Sequence, residues 1–490
     1  MSTWHATAAM PGRGSGQRSE LWLGLYCPRL PLLAAWQCDS RLPELHAVHG
    51  FRHGRHLIVQ ASAAARRAGV ASGQPLATAL AVAPALHSRP RNLRAEASLL
   101  EQLALGAWQG SSRVVQAPPD SVLLEIAGSR RLYGGLRPLV EALRADLERR
   151  GLPVQLGSAP VAATARLFAR HGLHAADINN MRERLHGLEL TALAADDRQA
   201  QALAGCGLKS VAELLRLPAP ERAWRFGQEL NRRLLCLEGR QATPLAAWQP
   251  PEEFRLRLEL PAASSDSSAL LFVFRRALER MAHWLDVRDQ ALMRLRIWLH
   301  RENGGGSTAL KLGLSRPDTD AVRLLELLAL KLERLELSAA VEAVELRAES
   351  TAEHRPPQAD LWSGHGNRGD AWLALLDRLR ARLGDDGLSG LAPRPDHRPE
   401  KAWRWVEPGT ATQCEDTRPR PTWLLPVPKP CRRENLRLEE GPERIEVGWW
   451  DGARCQRDYF IARDRHGRRV WVFHEHQSPR GWFIQGLFEP

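Results

Sequence analysis

Pro118 to Gly135 reads PPDSVLLEIAGSRRLYGG. Val122, Leu123, Leu124 and Ile126 make a short apolar, β-branched run, closed by two prolines before it and Gly128 after it. A run of this kind predicts a strand buried on both faces. One carboxylate, Asp120, stands at its entrance, and Glu125 lies inside it. Taken alone, Asp120 after two prolines also reads as an ordinary turn residue.

Working outward, Leu21 to Tyr26 (LWLGLY) predicts another apolar strand, and no carboxylate occurs between Trp22 and Gln37. Residues 95–110 and 137–150 are helical by periodicity, the second with Leu136, Leu139, Val140, Leu143 and Leu147 on one stripe. VQLGSAPVAATARLFAR, from Val154, predicts a strand and then a helix. LAGCGLKSVAELLRLP, from Leu203, has the shape of a helix-hairpin-helix. Gly205 and Gly207 form the turn, and Lys209 and Ser210 open the second helix. Such a turn brings backbone N–H groups to a DNA phosphate, although a plain αα-hairpin carries the same pattern. Residues 254–349 run strand, helix, strand, Gly-rich turn, strand, helix, strand, the order of a ferredoxin-like split unit. Arg294, Arg296 and Lys311 fall on its hairpin, as phosphate contacts or as solvated strand cations. His46, His49, His53 and His56 lack ligand spacing and read as loop residues.

The 490 residues predict about three or four domains. A hydrophobic content of 44% and a charged content of 25% are those of a soluble globular protein. No apolar run reaches the length of a membrane span, and residues 1–20 read as a disordered leader, so a cytoplasmic location without membrane contact is expected. A net charge of +12 favours polyanions, although an Arg-preferring GC-rich genome gives the same surplus. The seven cysteines are scattered without a CxxC pair, so neither disulfides nor a metal site is indicated. No cofactor is expected.

The stretch at 118–135 resembles the palm motif of Y-family (translesion) DNA polymerases, Ser-Ile-Asp-Glu-Ala-Phe-Leu-Asp-Val-Thr-Gly-Ser. Asp120 takes the place of its first Asp, Glu125 that of the later Asp, and Gly128-Ser129 that of the Gly-Ser. Ser121 stands where the family has the adjacent catalytic Glu. The family's first strand, His-Ile-Asp-Met-Asp-Ala-Phe-Phe, aligns its two acids with Gly24 and Tyr26. Residues 61–84 resemble the fingers segment, with Arg66 kept and Ala63 in place of a triphosphate-contacting tyrosine. Val161 and Ala162 replace the family's Asn-Lys, while Arg166 keeps a positive charge at the last lysine position. Two-metal phosphoryl transfer needs clustered carboxylates to hold and neutralise two cations. The resemblance therefore implies a palm degenerate at Gly24, Tyr26, Asp120 and Ser121, with no catalytic residue left.

The fold expected is α+β and multidomain: a polymerase-like right hand, a disordered linker and a small C-terminal β-rich domain. Palm and fingers take residues 21–185, a helix-hairpin-helix thumb 186–245, and a little finger 252–350. Residues 351–422 read as mostly disordered linker, and 423–490 as a C-terminal partner-binding domain.

Inside the linker, Gln358-Ala359-Asp360-Leu361-Trp362 sets an apolar-aromatic pair in a polar tail, the form of a docking peptide. It resembles the bacterial sliding-clamp-binding motif Gln-x-x-Leu-Phe/Trp, with Gln358, Asp360, Leu361 and Trp362 as contacts. In the last domain Trp449, Trp450, Trp471 and Trp482 read either as core or as a partner surface, and Asp451, Asp458 and Asp464 as turn acids. Together these features resemble the catalytically impaired Y-family member of a bacterial mutagenesis cassette. That implies an SOS-induced accessory protein, cytoplasmic and nucleoid-associated. Its partners would be DNA, the β sliding clamp, an error-prone replicative-type DNA polymerase and the RecA-like protein ImuA. Two alternatives stand beside it: an active translesion polymerase using Asp120, and a DNA-binding repair protein without clamp contact.

Overall fold

A computed structural model describes residues 20–39, 41–52, 54–194, 201, 203–205, 207–354, 368–410, 419–478 and 480–488. The chain divides into two compact units, Met1–Pro357 and Gln358–Pro490.

The first unit begins with β1 (Trp22–Tyr26) and α1 (Leu30–Ala35). A small subdomain follows: β2 (His46–Arg52), β3 (Arg55–Ala61), α2 (Ala63–Arg67), α3 (Leu76–Val82) and β4 (His87–Pro90). Its sheet order is β3-β2-β4, over a core of Ala47, Ile58, Ala65, Val70 and Ala79. His46, His49 and His56 lie in strands here, and the His49 and His56 rings meet edge-on at 5.2 Å. This corrects their reading as loop residues. His53 lies outside the described residues.

The chain then returns to the palm through α4 (Leu93–Trp108), β5 (Val114–Ala117), β6 (Ser121–Glu125), α5 (Leu136–Arg149), β7 (Gln155–Ala159) and α6 (Ala162–His171). The palm sheet, β5-β6-β1-β7, is antiparallel. Alternation along its strands fills both faces, as the continuous apolar run in β6 demands. Leu23, Leu25, Val122 and Leu124 join the core that holds Leu99 and Leu103 of α4 and Leu139, Leu143 and Leu147 of α5. Trp22, Leu123 and Ala159 join Ala165 and Phe168 of α6. That second core continues into α7 (Ile178–His186), α8 (Val211–Arg216), α9 (Ala219–Phe226) and α10 (Gln228–Leu237) through Met181, Leu214, Leu230 and Leu234.

Next come β8 (Arg255–Ser264), α11 (Ser267–Val287), β9 (Gln290–Arg301), β10 (Ser307–Asp318), α12 (Ala321–Leu332) and β11 (Val341–Glu353). The element order is the one expected, with Asp266 and Asp320 capping the two helices. The sheet order, β10-β9-β11-β8, corrects the ferredoxin-like expectation, in which the first and third strands are central. Here the second and fourth are. The Gly-rich hairpin puts β10 on the outer side of β9, so β11 returns between β9 and β8.

The second unit corrects the expectation of a disordered linker over 351–422. It contains α13 (Arg368–Leu383) and a hairpin of β12 (Gly390–Pro393) and β13 (Trp403–Val406). Leu376 and Ala381 of the helix are buried, an apolar signal hidden by the surrounding Pro, Gly and Arg. An antiparallel sheet follows in the order β14-β18-β17-β16-β15, from β14 (Trp423–Cys431), β15 (Leu436–Val447), β16 (Cys455–Asp464), β17 (Arg469–Glu475) and β18 (Gly481–Leu487).

Candidate functional site

The palm centre forms where β1, β6 and α6 meet. Register sets Tyr26 directly opposite Ser121, and neighbouring Asp120 accepts a hydrogen bond from the Cys27 N–H through its carbonyl. The buried Ser121 hydroxyl donates to Asp120 Oδ1 at 2.7 Å. Arg170 of α6 reaches Asp120 Oδ2 at 3.1 Å, and Arg166, one turn earlier, lies 3.7 Å from Oδ1. Arg166 also donates to the Pro118 carbonyl at 2.7 Å, and the Arg170 guanidinium stands 5.1 Å from the Tyr26 ring centroid. Burial, followed by the neighbouring Asp120 carboxylate, raises the Tyr26 pKa. Burial lowers the Arg166 pKa; Asp120 offsets this in part, and Arg170 adds to it.

Gly24 does not join this centre. It pairs with Leu123 on one side and Gly157 on the other, one full repeat away from Tyr26. A Cβ on Gly24 would lie 2.5 Å from the Ala165 carbonyl oxygen, and one on Gly157 would overlap the Phe168–Ala169 backbone. The two glycines face each other so that α6 can lie directly on the sheet. Position 24 is closed to any side chain by backbone. Glu125 is likewise turned to another task, accepting from the Leu21 and Ala127 N–H groups through Oε1.

The arrangement holds one carboxylate, already paired with guanidinium, where two-metal transfer needs several. Among the described residues no three His, Cys, Asp or Glu side chains come together as a metal site.

The hairpin cations belong to a wider feature. Cross-strand pairing puts Lys311 opposite Arg296, Arg296 opposite Arg347, and Arg347 opposite Arg255. Four cations thus form one row across all four strands, on the face opposite buried Leu295, Ile297 and Leu299. Like charges directly opposite repel. Arg296, Arg347 and Arg255 answer with Glu349, Glu253 and Glu345 respectively, the last two at 2.8 and 2.6 Å. Arg294 sits beyond the row and donates to the Ser350 hydroxyl at 3.1 Å. The sequence reading found Arg294, Arg296 and Lys311 but missed Arg255 and Arg347. The alternation in FRLRLELP carried that signal; the partner strand did not.

The helix-hairpin-helix is more self-contained than expected. Gly207 takes a φ of +78°, and Gly205 and Lys209 are exposed. Ser210 is an N-cap: its hydroxyl accepts from the Glu213 N–H at 3.3 Å, while the Glu213 carboxylate accepts from the Lys209 N–H at 2.9 Å. The pair uses one donor of the turn, the Lys209 N–H, and sets an acid beside it, while Ser210 serves as the helix N-cap. Arg66 is exposed on α2. Gln358, Asp360, Leu361 and Trp362 lie outside the described residues.

In the second unit the tryptophans separate. Trp471 is buried, stacked on Tyr459 at 4.5 Å, so its assignment to a partner surface is corrected to core. Trp482 is half-buried, packed near Phe460 and His474 with Arg433 against its ring. Trp449 and Trp450 stand 78% and 59% exposed. Their turn is held by Arg398, itself buried, which binds Asp451 at 2.8 Å. Asp458 is a strand residue rather than a turn acid, gripped by Arg444 at 2.7 Å and His476 at 2.8 Å. Arg444 foremost, with help from His476, pulls its pKa down to about 2.

The impB/mucB/samB family model matches residues 39–170, which span the fingers subdomain and most of the palm. Protein ImuB of Caulobacter vibrioides, in strains NA1000/CB15N and ATCC 19089, is 29% identical over 458 residues, covering 86% of this chain and 100% of the relative. The chain is thus similar to ImuB over most of its length, and residues 39–170 match the impB/mucB/samB family model. Among solved structures, DinB from Sulfolobus solfataricus covers 67% of this chain and 98% of its own at 15% identity and a TM-score of 0.40. The insertion ternary complex of Dbh DNA polymerase gives 15% identity, the same coverage and a TM-score of 0.39. Among the described residues no helix is long and apolar enough to cross a membrane.

Proposed function

We propose that this chain is an ImuB homologue, a non-catalytic accessory protein of SOS-induced mutagenic translesion synthesis. It binds DNA and the β sliding clamp at the nucleoid, and recruits an error-prone replicative-type polymerase and ImuA. The observation that carries the non-catalytic reading is the Arg170–Asp120 ion pair, flanked by Arg166. A guanidinium neutralises the remaining carboxylate, and Tyr26 and Ser121 supply no second one. DNA binding rests on the cation row of the little finger. The clamp contact rests on the sequence motif at Gln358, Asp360, Leu361 and Trp362, and partner recruitment on the exposed Trp449 and Trp450.

The deciding experiment is primer extension on undamaged and abasic templates with Mg²⁺ or Mn²⁺, beside an Asp120→Ala control. Extension equal to the control is the expected result. Extension that disappears with Asp120→Ala would make the protein a polymerase and overturn the reading. The clamp contact is tested separately: Leu361→Ala with Trp362→Ala should abolish clamp binding, and binding that survives removes the clamp from the proposal.

A further inference from the structure

A cavity of about 800 Å³ lies in the first unit between α1, the corner that joins α5 to β7, and α11 of the little finger. Tyr26, Asp120, Arg166 and Arg170 do not line it, so it is separate from the palm centre. Its size is that of a small-molecule site.

The walls divide by chemistry. Leu32, Leu33, Leu99 and Leu152 supply an apolar side. Arg276 and Arg280 of α11, Arg149 and Arg150 at the end of α5, and Arg29 supply guanidinium groups. Three carboxylates also line the cavity, Asp39, Glu279 and Asp286. Asp39 is held by Arg89 through two bonds of 2.6 and 3.0 Å, and Asp146 binds Arg149 at 3.1 Å and Arg150 at 2.7 Å, so the arginines of the walls stand against Glu279, Asp286 and Asp146 and remain in excess.

Several polar groups in these walls lack an internal acceptor or donor. Both ring nitrogens of His283, which is 3% exposed, have no hydrogen-bond partner among the described residues. The same holds for Arg280 Nη1 and Trp36 Nε1, although Arg280 Nη2 donates to Gln37 at 2.8 Å. A buried polar atom left unpaired is destabilising, so such groups gather where something else meets them. Burial, with Arg150 beside it, holds His283 neutral, with a pKa near 4, so the ring brings a donor and an acceptor rather than another charge.

We propose that this cavity is a binding site for a nucleoside polyphosphate, held without metal. The phosphates meet Arg276, Arg280 and the Arg149–Arg150 corner, where forked guanidinium donors match phosphate oxygens. The base lies against Leu32, Leu33, Leu99 and Leu152. The site is formed jointly by the palm and the little finger.

The test is isothermal titration of the full chain with ATP, pyrophosphate and adenosine in EDTA. The expected result is micromolar ATP binding, weaker pyrophosphate binding and no adenosine binding. Arg276→Gln with Arg280→Gln should weaken ATP at least tenfold. Ala282→Trp, which fills the cavity and keeps every charge, should do the same, so a folding defect in the first variant does not decide the matter. Arg166→Gln with Arg170→Gln should leave ATP binding unchanged. No ATP binding at millimolar concentration, indifference to Ala282→Trp, or loss through the Arg166 and Arg170 variants would each overturn the proposal. None of these outcomes depends on whether the palm extends a primer.

Discussion

Arg170 Nη2 lies 3.1 Å from Asp120 Oδ2, so a side chain of α6 neutralises the carboxylate at the palm centre. The pair is about two-thirds shielded from solvent, with Arg166 close behind. Charge balance at Asp120 is therefore met inside the protein. Mg²⁺ or Mn²⁺ at millimolar concentration is expected to leave the melting temperature unchanged. Arg170→Ala is expected to cost about 1 kcal/mol or less, as part-exposed pairs do. A divalent-dependent rise in melting temperature that vanishes in Asp120→Ala would show that the carboxylate is still open to metal.

Restoring an acid at position 24 is expected to fail. A Cβ there meets the Ala165 carbonyl oxygen at 2.5 Å, and helix backbone cannot move aside as a flexible side chain can. Gly24→Asp should lose more than about 2 kcal/mol in urea unfolding. Tyr26→Asp, at the end of the same strand and half-buried, should be tolerated far better. Equal stability of the two variants would refute this account of Gly24.

Neutralising the cation row should weaken DNA binding evenly across sequences. Lys311→Ala and Arg347→Ala are each expected to reduce the slope of log affinity against log salt by about 0.9, one phosphate contact apiece. Binding isotherms on two unrelated duplexes from low to moderate salt provide the check. A change confined to one sequence would point to base reading instead.

Acid should expose the cost of burying His283. Its pKa falls from 6.5 to about 4 in the folded chain, chiefly through burial and next through Arg150, with Asp146 opposing. Between these values the unfolded chain binds a proton that the folded one refuses, so stability drops as pH falls through the window. The full loss is up to about 3 kcal/mol, complete below pH 4 and absent well above 6.5. Urea midpoints of His283→Leu at pH 7 and pH 4.5 should differ less than those of the unaltered protein.

The C-terminal tryptophans should divide by burial. Trp471→Ala, in the stacked core with Tyr459, is expected to cost about 3–5 kcal/mol. Trp449→Ala with Trp450→Ala should leave the melting temperature nearly unchanged and, on the proposed function, reduce capture of an error-prone replicative-type polymerase. A large stability loss from the second variant would make that turn structural.

Local pattern was enough to identify some parts of this molecule. The apolar run at Val122–Ile126 and the stripe of Leu139, Leu143 and Leu147 express their structure within a few residues. That positions 26 and 121 hold Tyr and Ser rather than carboxylates is likewise a property of the sequence alone. Tertiary structure decided the rest. Arg170 and Asp120 are 50 residues apart, and only the packing of α6 on the sheet brings them together. Gly24 reads as a lost acid until Gly157, its partner across the ladder, shows that both are needed for helix contact. The row Lys311, Arg296, Arg347 and Arg255 depends on strand order, which period-2 alternation leaves open. Hydrophobic period fixes which face of an element is buried, but which elements face each other is settled by packing across long loops, where no local signal reaches.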